Sequence, residues 1–293
     1  MTVAVQELAA PQERARRNRR ERLLTVWMLL ALTIAMAALI ALLANVLVEG
    51  LHRLNWDFFT SFPSRVATRA GAKPAIIGSL WLIAICAAFA VPVGMGAAIY
   101  LEEYAKPSRL NRFIEINIAN LAGIPSVIYG LLGLAVFVRF FALGRSVLAG
   151  GLTLGLLVLP VVTIAGREAI RAVPPSIKEA ALAVGATRWQ AMSRQVLPAA
   201  LPGFMTGVIL AISRALGETA PLITMGALTF VTFVPSGLLD RFTALPIQVF
   251  NWTSRPQDEF RETAAAGIIV LLIVLLGMNA IAIWLRNRYQ KRW

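Results

Sequence analysis

The sequence predicts an all-α, polytopic membrane protein with six transmembrane helices and both termini on the cytoplasmic side. Three observations carry that prediction. First, 58% of the 293 residues are hydrophobic and only 15% are charged, with a mean hydropathy of +0.71. A soluble domain averages roughly 45–50% apolar and about 25% charged residues. Second, seven runs of 19 to 28 residues contain no Asp, Glu, Lys or Arg. A helix crosses about 30 Å of hydrocarbon with about 20 residues. Third, the basic residues are unevenly placed. Segments 1–26, 101–112, 167–198 and 286–293 hold 18 Lys and Arg, against 9 in 49–74, 139–146 and 227–262. That two-to-one excess puts the first set inside. The net charge of +13 therefore reads as membrane orientation rather than a nucleic-acid footprint.

Each element follows in order. Arg14, Arg16, Arg17, Arg19, Arg20 and Arg22 precede the charge-free run 23–48. At 26 residues that run is far longer than the roughly 7–15-residue core of a cleaved signal, so it reads as a retained anchor. Residues 1–22 read as a basic cytoplasmic tail, largely disordered. The membrane domain is 23–290, with spans at about 25–48, 75–100, 114–138 and 147–167. The runs 195–213 and 219–239 are separated only by Arg214 to Glu218, too short for a loop between two crossings. They read as one helix, 199–226, carrying both charges, followed by an irregular outer segment 227–261 broken by Pro235, Gly237, Pro246 and Pro256. The last span is 263–285.

Between the fourth and fifth spans lies the cytoplasmic loop 168–198. Ser176 with Glu179, and Thr187 with Gln190, have capping-box spacing, and Gly185 between them reads as a helix terminator. The loop is thus expected to fold as helix, sharp turn, helix. Ile177, Ala181 and Val184 form one apolar stripe. It suits either the protein's own inner helices or the groove of a partner.

The absences narrow the chemistry. Only four lysines occur, Lys73, Lys106, Lys178 and Lys291, and none follows Gly, so no P-loop is present. One cysteine, Cys86, and one histidine, His52, leave neither an internal disulfide nor a Cys/His metal cluster. No catalytic residue, metal or cofactor is expected, and any nucleotide chemistry belongs to another chain.

Glu179-Ala180-Ala181, Gly185 and Leu197-Pro198 resemble the EAA loop of ABC importer permeases, with Gln195 where that pattern has Ile. In that family the loop is the coupling helix held by the ATPase. Ser213–Leu222 (SRALGETAPL), Tyr100–Ala105 (YLEEYA) and Gly123–Leu134 (GIPSVIYGLLGL) are similar to PstA-type permeases of bacterial phosphate importers. The outer loop 50–74 departs from their Gly/Pro-rich loop. The resemblance covers about 20–290 and implies a MetI-like permease fold in the bacterial inner membrane. It also implies a second, PstC-like permease, PstB-like ATPase subunits and a PstS-like extracytoplasmic phosphate-binding protein.

Arg214 and Glu218 are spaced i, i+4, and Arg214 lies about 22 Å along the expected span. A charge there costs about 2.5–3.5 kcal/mol on the insertion scale, so lipid exposure is disfavoured. The two form either a structural pair or an anion path in which Glu218 holds Arg214. Arginine suits phosphate through its planar, permanently charged fork. Arg167, at the inner end of the fourth span, also matches a PstA arginine, which implies a place on the substrate pathway at its inner exit, while on position alone it reads as a positive-inside anchor. The reading is a permease subunit of an ATP-driven phosphate importer. The alternatives are an importer for sulfate or molybdate, a membrane-embedded enzyme, or a secondary transporter.

Overall fold

A computed structural model describes residues 3–228 and 230–289. Lys291 and Arg292, part of the expected basic tail, lie outside the described residues. Residues 1–49 form one compact unit and 50–293 another.

The first unit is helix α1, Val3–Gly50. It extends back through the tail expected to be disordered, whose Ala, Gln, Glu and Arg all favour helix. Inside its apolar stretch the hydroxyls of Thr25 and Thr33 donate to the carbonyls of Glu21 and Leu29, at 2.8 Å each. That return bond hides a polar group where no water is available.

In the second unit all the regular elements among the described residues are helical, apart from an isolated antiparallel bridge between Ser146 and Arg241. A short outer helix α2, Trp56–Thr60, is capped by the Asn55 side chain accepting from Phe58 N–H. Helix α3, Lys73–Ile99, ends in a π-helical turn, Tyr100–Tyr104. Helices α4, Arg109–Ala122, and α5, Ser126–Gly133, follow. The fourth span is α6, Val147–Arg171. The loop beyond it holds α7, Pro175–Ala183, and α8, Arg188–Ala191. A π turn, Met192–Val196, leads into α9, Leu197–Gly217. Then come α10, Ala220–Met225, α11, Leu245–Thr253, and α12, Glu259–Tyr289.

Five helical stretches are long and apolar enough to cross a membrane, and the bent pair α4–α5 makes up to six. This is the polytopic all-α fold expected. Helix α6 is its hub, buried over 67% of its apolar stretch. Glycines let its neighbours approach. A Cβ on Gly151 or Gly155 of α6 would lie 2.6 or 2.7 Å from Ile85 or Phe89 of α3. On its other side, a Cβ on Gly207 of α9 would meet Ala165 at 2.2 Å. Lipid is as apolar as leucine, so this close packing, not solvent exclusion, holds the spans together. The contacts run parallel between α3 and α6 and antiparallel between α6 and α9, as expected for spans two, four and five.

Polar clamps fix the last span. Ser213 of α9 donates to Asn279 of α12 at 2.6 Å, and Arg286 of α12 donates to Thr206 of α9 at 3.0 Å. The two contacts are seven residues apart on each helix, so they lock a single antiparallel register.

Three expectations are corrected here. The third span is not straight: α4 and α5 meet at 106° across Gly123-Ile124-Pro125. Pro125 has no N–H to continue the ladder and pushes Ile124 out of helical space. The expected helix 199–226 stops at Gly217, because Pro221 cannot donate to the Gly217 carbonyl and its ring would strike it. Finally, 227–261 is not wholly irregular. Pro246 is no breaker. It sits in the first turn of α11, where no donor is needed. Helix α11 buries Trp252 and Leu245 in an apolar cluster that also includes Phe58 and Phe260.

Candidate functional site

The helices that follow two helix breaks, α5 and α10, pack against each other. Helix α5 packs on α10 so tightly that a Cβ on Gly130 would lie 1.8 Å from Thr224 Oγ1 and 2.6 Å from the Pro221 carbonyl oxygen. The 123–134 and 213–222 motifs, 78 residues apart in sequence, thus build one structure. The α4–α5 bend is pinned by Tyr129, whose hydroxyl donates to the Leu121 carbonyl at 2.7 Å. That carbonyl, in the last turn of α4, also accepts from the Ile124 N–H at 3.2 Å.

Arg214 lies in the last turn of α9 and Glu218 is the residue that closes it. Glu218 is therefore not on the same helix as Arg214. It still meets it, Arg214 Nε to Glu218 Oε1 at 3.4 Å. The Arg214 side chain is 46% exposed and Glu218 only 17%. Both Nη nitrogens of Arg214 are without a protein partner among the described residues. A guanidinium in this state has its two-pronged donor edge available to an anion.

Arg167 is differently placed. The α6–α9 register puts it level with residue 205, nine residues, or about 14 Å, inward of Arg214. Its Nε donates to Glu102 at 2.6 Å and its Nη2 to Glu115 at 2.8 Å, with the side chain 11% exposed. Arg171 also donates to Glu102, at 2.9 Å, and Lys178 to Glu103, at 2.6 Å. The structure brings Arg214 and Glu218 together and leaves Arg167 apart, in an ionic cluster at the inner end of the spans.

Glu179, Ala180, Ala181 and Gly185 lie together on the α7 knob. Helix α7 buries none of its residues. Its stripe of Ile177, Ala181 and Val184 lines an open groove of about 610 Å3, and Val184 is 85% exposed. The stripe does not pack into the protein's own core. The Thr187–Gln190 capping box is present, with Gln190 N–H to Thr187 Oγ1 at 3.3 Å and Thr187 N–H to Gln190 Oε1 at 2.9 Å. The expected Ser176–Glu179 box is not. Pro174 is the cap, and Pro175, whose fixed φ suits a first helical position, starts the helix two residues early. Gly185 ends α7 with φ +87°, its N–H bonded to Leu182 O and that of Ala186 to Ala181 O, a Schellman closure.

Among the described residues no group of three or more His, Cys, Asp or Glu could hold a metal ion. Sequence spacing missed the cluster around Glu102 and Glu103. The one available signal was a pair of adjacent acids in YLEEYA, at the inner end of an apolar run and facing a basic loop.

These features define a membrane-embedded permease: glycine-packed spans, two facing helix breaks, and an exposed capped knob on the inner side. The chain belongs to the family of binding-protein-dependent transport system inner membrane components, which it matches over residues 90–293. It is thus an ABC importer permease subunit and a multi-pass inner-membrane protein. It is 30% identical over 275 residues to the probable ABC transporter permease protein YqgI of Bacillus subtilis (strain 168), covering 90% of this chain and 94% of that one. It is also 30% identical over 281 residues to the phosphate transport system permease protein PstA 1 of Mycobacterium tuberculosis (strain CDC 1551 / Oshkosh), covering 92% and 90%. The fold matches a chain in the crystal structure of a bacterial alginate ABC transporter with its pentasaccharide-bound periplasmic protein. There the TM-score is 0.65 at 16% identity, over 94% of this chain and 98% of that one.

The Gly130 contact gives a first test. Gly130→Val forces its new atoms into Thr224 and the Pro221 backbone, an overpacking cost of about 1–3 kcal/mol. The expected result is normal membrane insertion with a lowered unfolding temperature and impaired transport. Adding Thr224→Ala restores little, because the Pro221 carbonyl still blocks the site. Wild-type thermal stability and transport in Gly130→Val would contradict the α5–α10 packing.

Proposed function

We propose that this chain is the permease subunit of an ATP-driven inorganic phosphate importer. It forms the translocation path with a second, homologous permease. An extracytoplasmic binding protein delivers the anion, and separate ATPase subunits dock on α7 and supply the hydrolysis. The observation that carries this reading is Arg214. Its Nη donors are unpartnered at the helix break that ends α9, with Glu218 holding the Nε edge. A phosphate oxyanion accepts two parallel hydrogen bonds from such a fork. Charge in this position is costly unless a polar pathway uses it. The similarity to a chain named as a phosphate transport permease points the same way. In this reading Glu179, Ala180, Ala181 and Gly185 present the knob to the ATPase, and Arg167 pins the inner ends of the spans.

The test is reconstitution of the two permeases, the ATPase and the binding protein in lipid vesicles. ATP-dependent uptake of phosphate, with sulfate and molybdate excluded, is the expected result. Uptake of sulfate or molybdate without phosphate overturns the substrate assignment.

A further inference from the structure

The ionic cluster at the inner end of the spans lies apart from Arg214 and reaches the coupling loop. On the ATP-driven permease reading, we infer that the Lys178–Glu103 pair is the strut through which α7 moves the inner ends of α3, α4 and α6.

Helix α7 is mounted as a lever. Pro174-Pro175 breaks the chain before it and the left-handed Gly185 breaks it after. Lys178 and Glu103 line an open cavity of about 250 Å3 together with Val173, Pro174, Pro175 and Met192. None of the helix's own residues is buried. Among the described residues its one polar tie to the spans is Lys178 Nζ to Glu103 Oε2, at 2.6 Å.

The two ends of that tie are unequal. The Lys178 side chain is 37% exposed, while that of Glu103 is 3% exposed. Glu103 Oε1 has no hydrogen-bond partner. Lys178 is thus the compensating charge of a buried carboxylate, and separating a buried pair strands an uncompensated charge. The carboxylate follows the lysine more cheaply than it releases it. Glu103 belongs to the π turn Tyr100–Tyr104. In that same turn Glu102 holds Arg167 and Arg171 of α6, and Arg167 holds Glu115 of α4. A displacement of α7 is handed by one contact to three span ends. The π turn, with its i→i+5 bonding, is the kind of segment that absorbs a change of register.

The experiment uses the complete complex in vesicles. Lys178→Met is expected to retain its ATPase subunits on co-purification and to continue hydrolysing ATP, while phosphate taken up per ATP falls roughly tenfold or more. Lys178→Arg keeps the ratio, since the pair survives. A merely structural lysine would lower stability without changing that ratio. A second readout does not depend on the anion. Leu210, exposed on α9, is replaced by cysteine, the native Cys86 being buried. Adding ATP and vanadate changes its reaction rate with a thiol reagent in the wild-type background, and Lys178→Met abolishes that change. If another oxyanion proves to be the cargo, the phosphate reading fails while this arm still reports the strut. Wild-type uptake per ATP in Lys178→Met overturns the inference, as does loss of the ATPase subunits from that variant, which makes Lys178 a docking residue instead.

Discussion

Gly185→Val is expected to insert into the membrane normally and to lose ATP-coupled transport, whereas Gly185→Asn retains it. The reasoning starts from the backbone. Gly185 has φ +87°, and nothing lies within 4 Å of where its Cβ would be. Crowding is therefore absent, and any effect must come from conformation. A side chain in left-handed space costs about 1–2 kcal/mol, with Asn the best tolerated and β-branched residues the worst. Such a cost shifts a local equilibrium by roughly tenfold. The loop has little to oppose it. Helix α7 is nine residues long, has no buried residue, and ends in a Schellman closure that needs this φ. The valine variant unwinds that closure and swings Glu179, Ala180 and Ala181 away from where an ATPase groove would meet them. The spans, packed around α6, do not sense the change. Glu179→Lys is weaker, because Glu179 lies past the first turn and is exposed. Co-purification of the ATPase with the Gly185 variants separates the outcomes. Bound ATPase and normal transport in Gly185→Val would refute the coupling role of the knob.

How far the sequence reveals this molecule depends on how local the determining interaction is. Hydropathy and charge asymmetry locate the spans because lipid imposes both on each segment independently. The Thr187–Gln190 box and the Gly185 terminator are legible because their bonding partners lie within five residues. The helix breaks are half-legible. Pro125 and Pro221 stand in plain view, yet the charge-free runs around them are long enough to span, and length prevails over the breaker in such a reading. Helix α11 is missed for the opposite reason, since Pro246 counts as a stop although a first-turn proline is a start. The ionic cluster lies beyond reach. Arg167 meets Glu102 and Glu115 across 65 and 52 residues, and Lys178 meets Glu103 across 75. No spacing rule encodes contacts that only the parallel packing of α3 on α6 creates. For that reason Arg167 and Arg214 look alike in sequence, while in the structure one is tied to two carboxylates from distant segments and the other to a single acid four residues on.

That difference sets the last expectation, which concerns Arg214 and its acid. Were the pair only a neutralising one, each single substitution would strand a charge in a low-dielectric site, the costly case, and removing both would relieve it. Arg214→Gln with Glu218→Gln would then transport normally. The geometry argues otherwise. One Nε contact at 3.4 Å is long for a charge-assisted bond, and it leaves the Nη edge of a 46%-exposed guanidinium facing out. An arginine kept solely to balance Glu218 would be held by both prongs, as Arg167 is held by Glu102 and Glu115. Arg214→Gln is therefore expected to abolish phosphate uptake both alone and with Glu218→Gln, the double variant remaining folded and in complex with its ATPase. Glu218→Gln alone weakens uptake less, since the amide oxygen still accepts from Nε. Arg214→Lys rescues poorly, because an ammonium is a point charge without the planar fork. Arg167→Gln separates the two arginines by a different signature. It removes the partner of Glu115 and leaves the largely buried Glu102 with Arg171 alone, so the whole complex loses thermal stability, and Glu102→Gln with Glu115→Gln in the same chain restores part of it. Uptake measured in vesicles, alongside unfolding temperature, distinguishes these cases. Normal phosphate transport by the folded Arg214→Gln, Glu218→Gln double variant would remove Arg214 from the anion path.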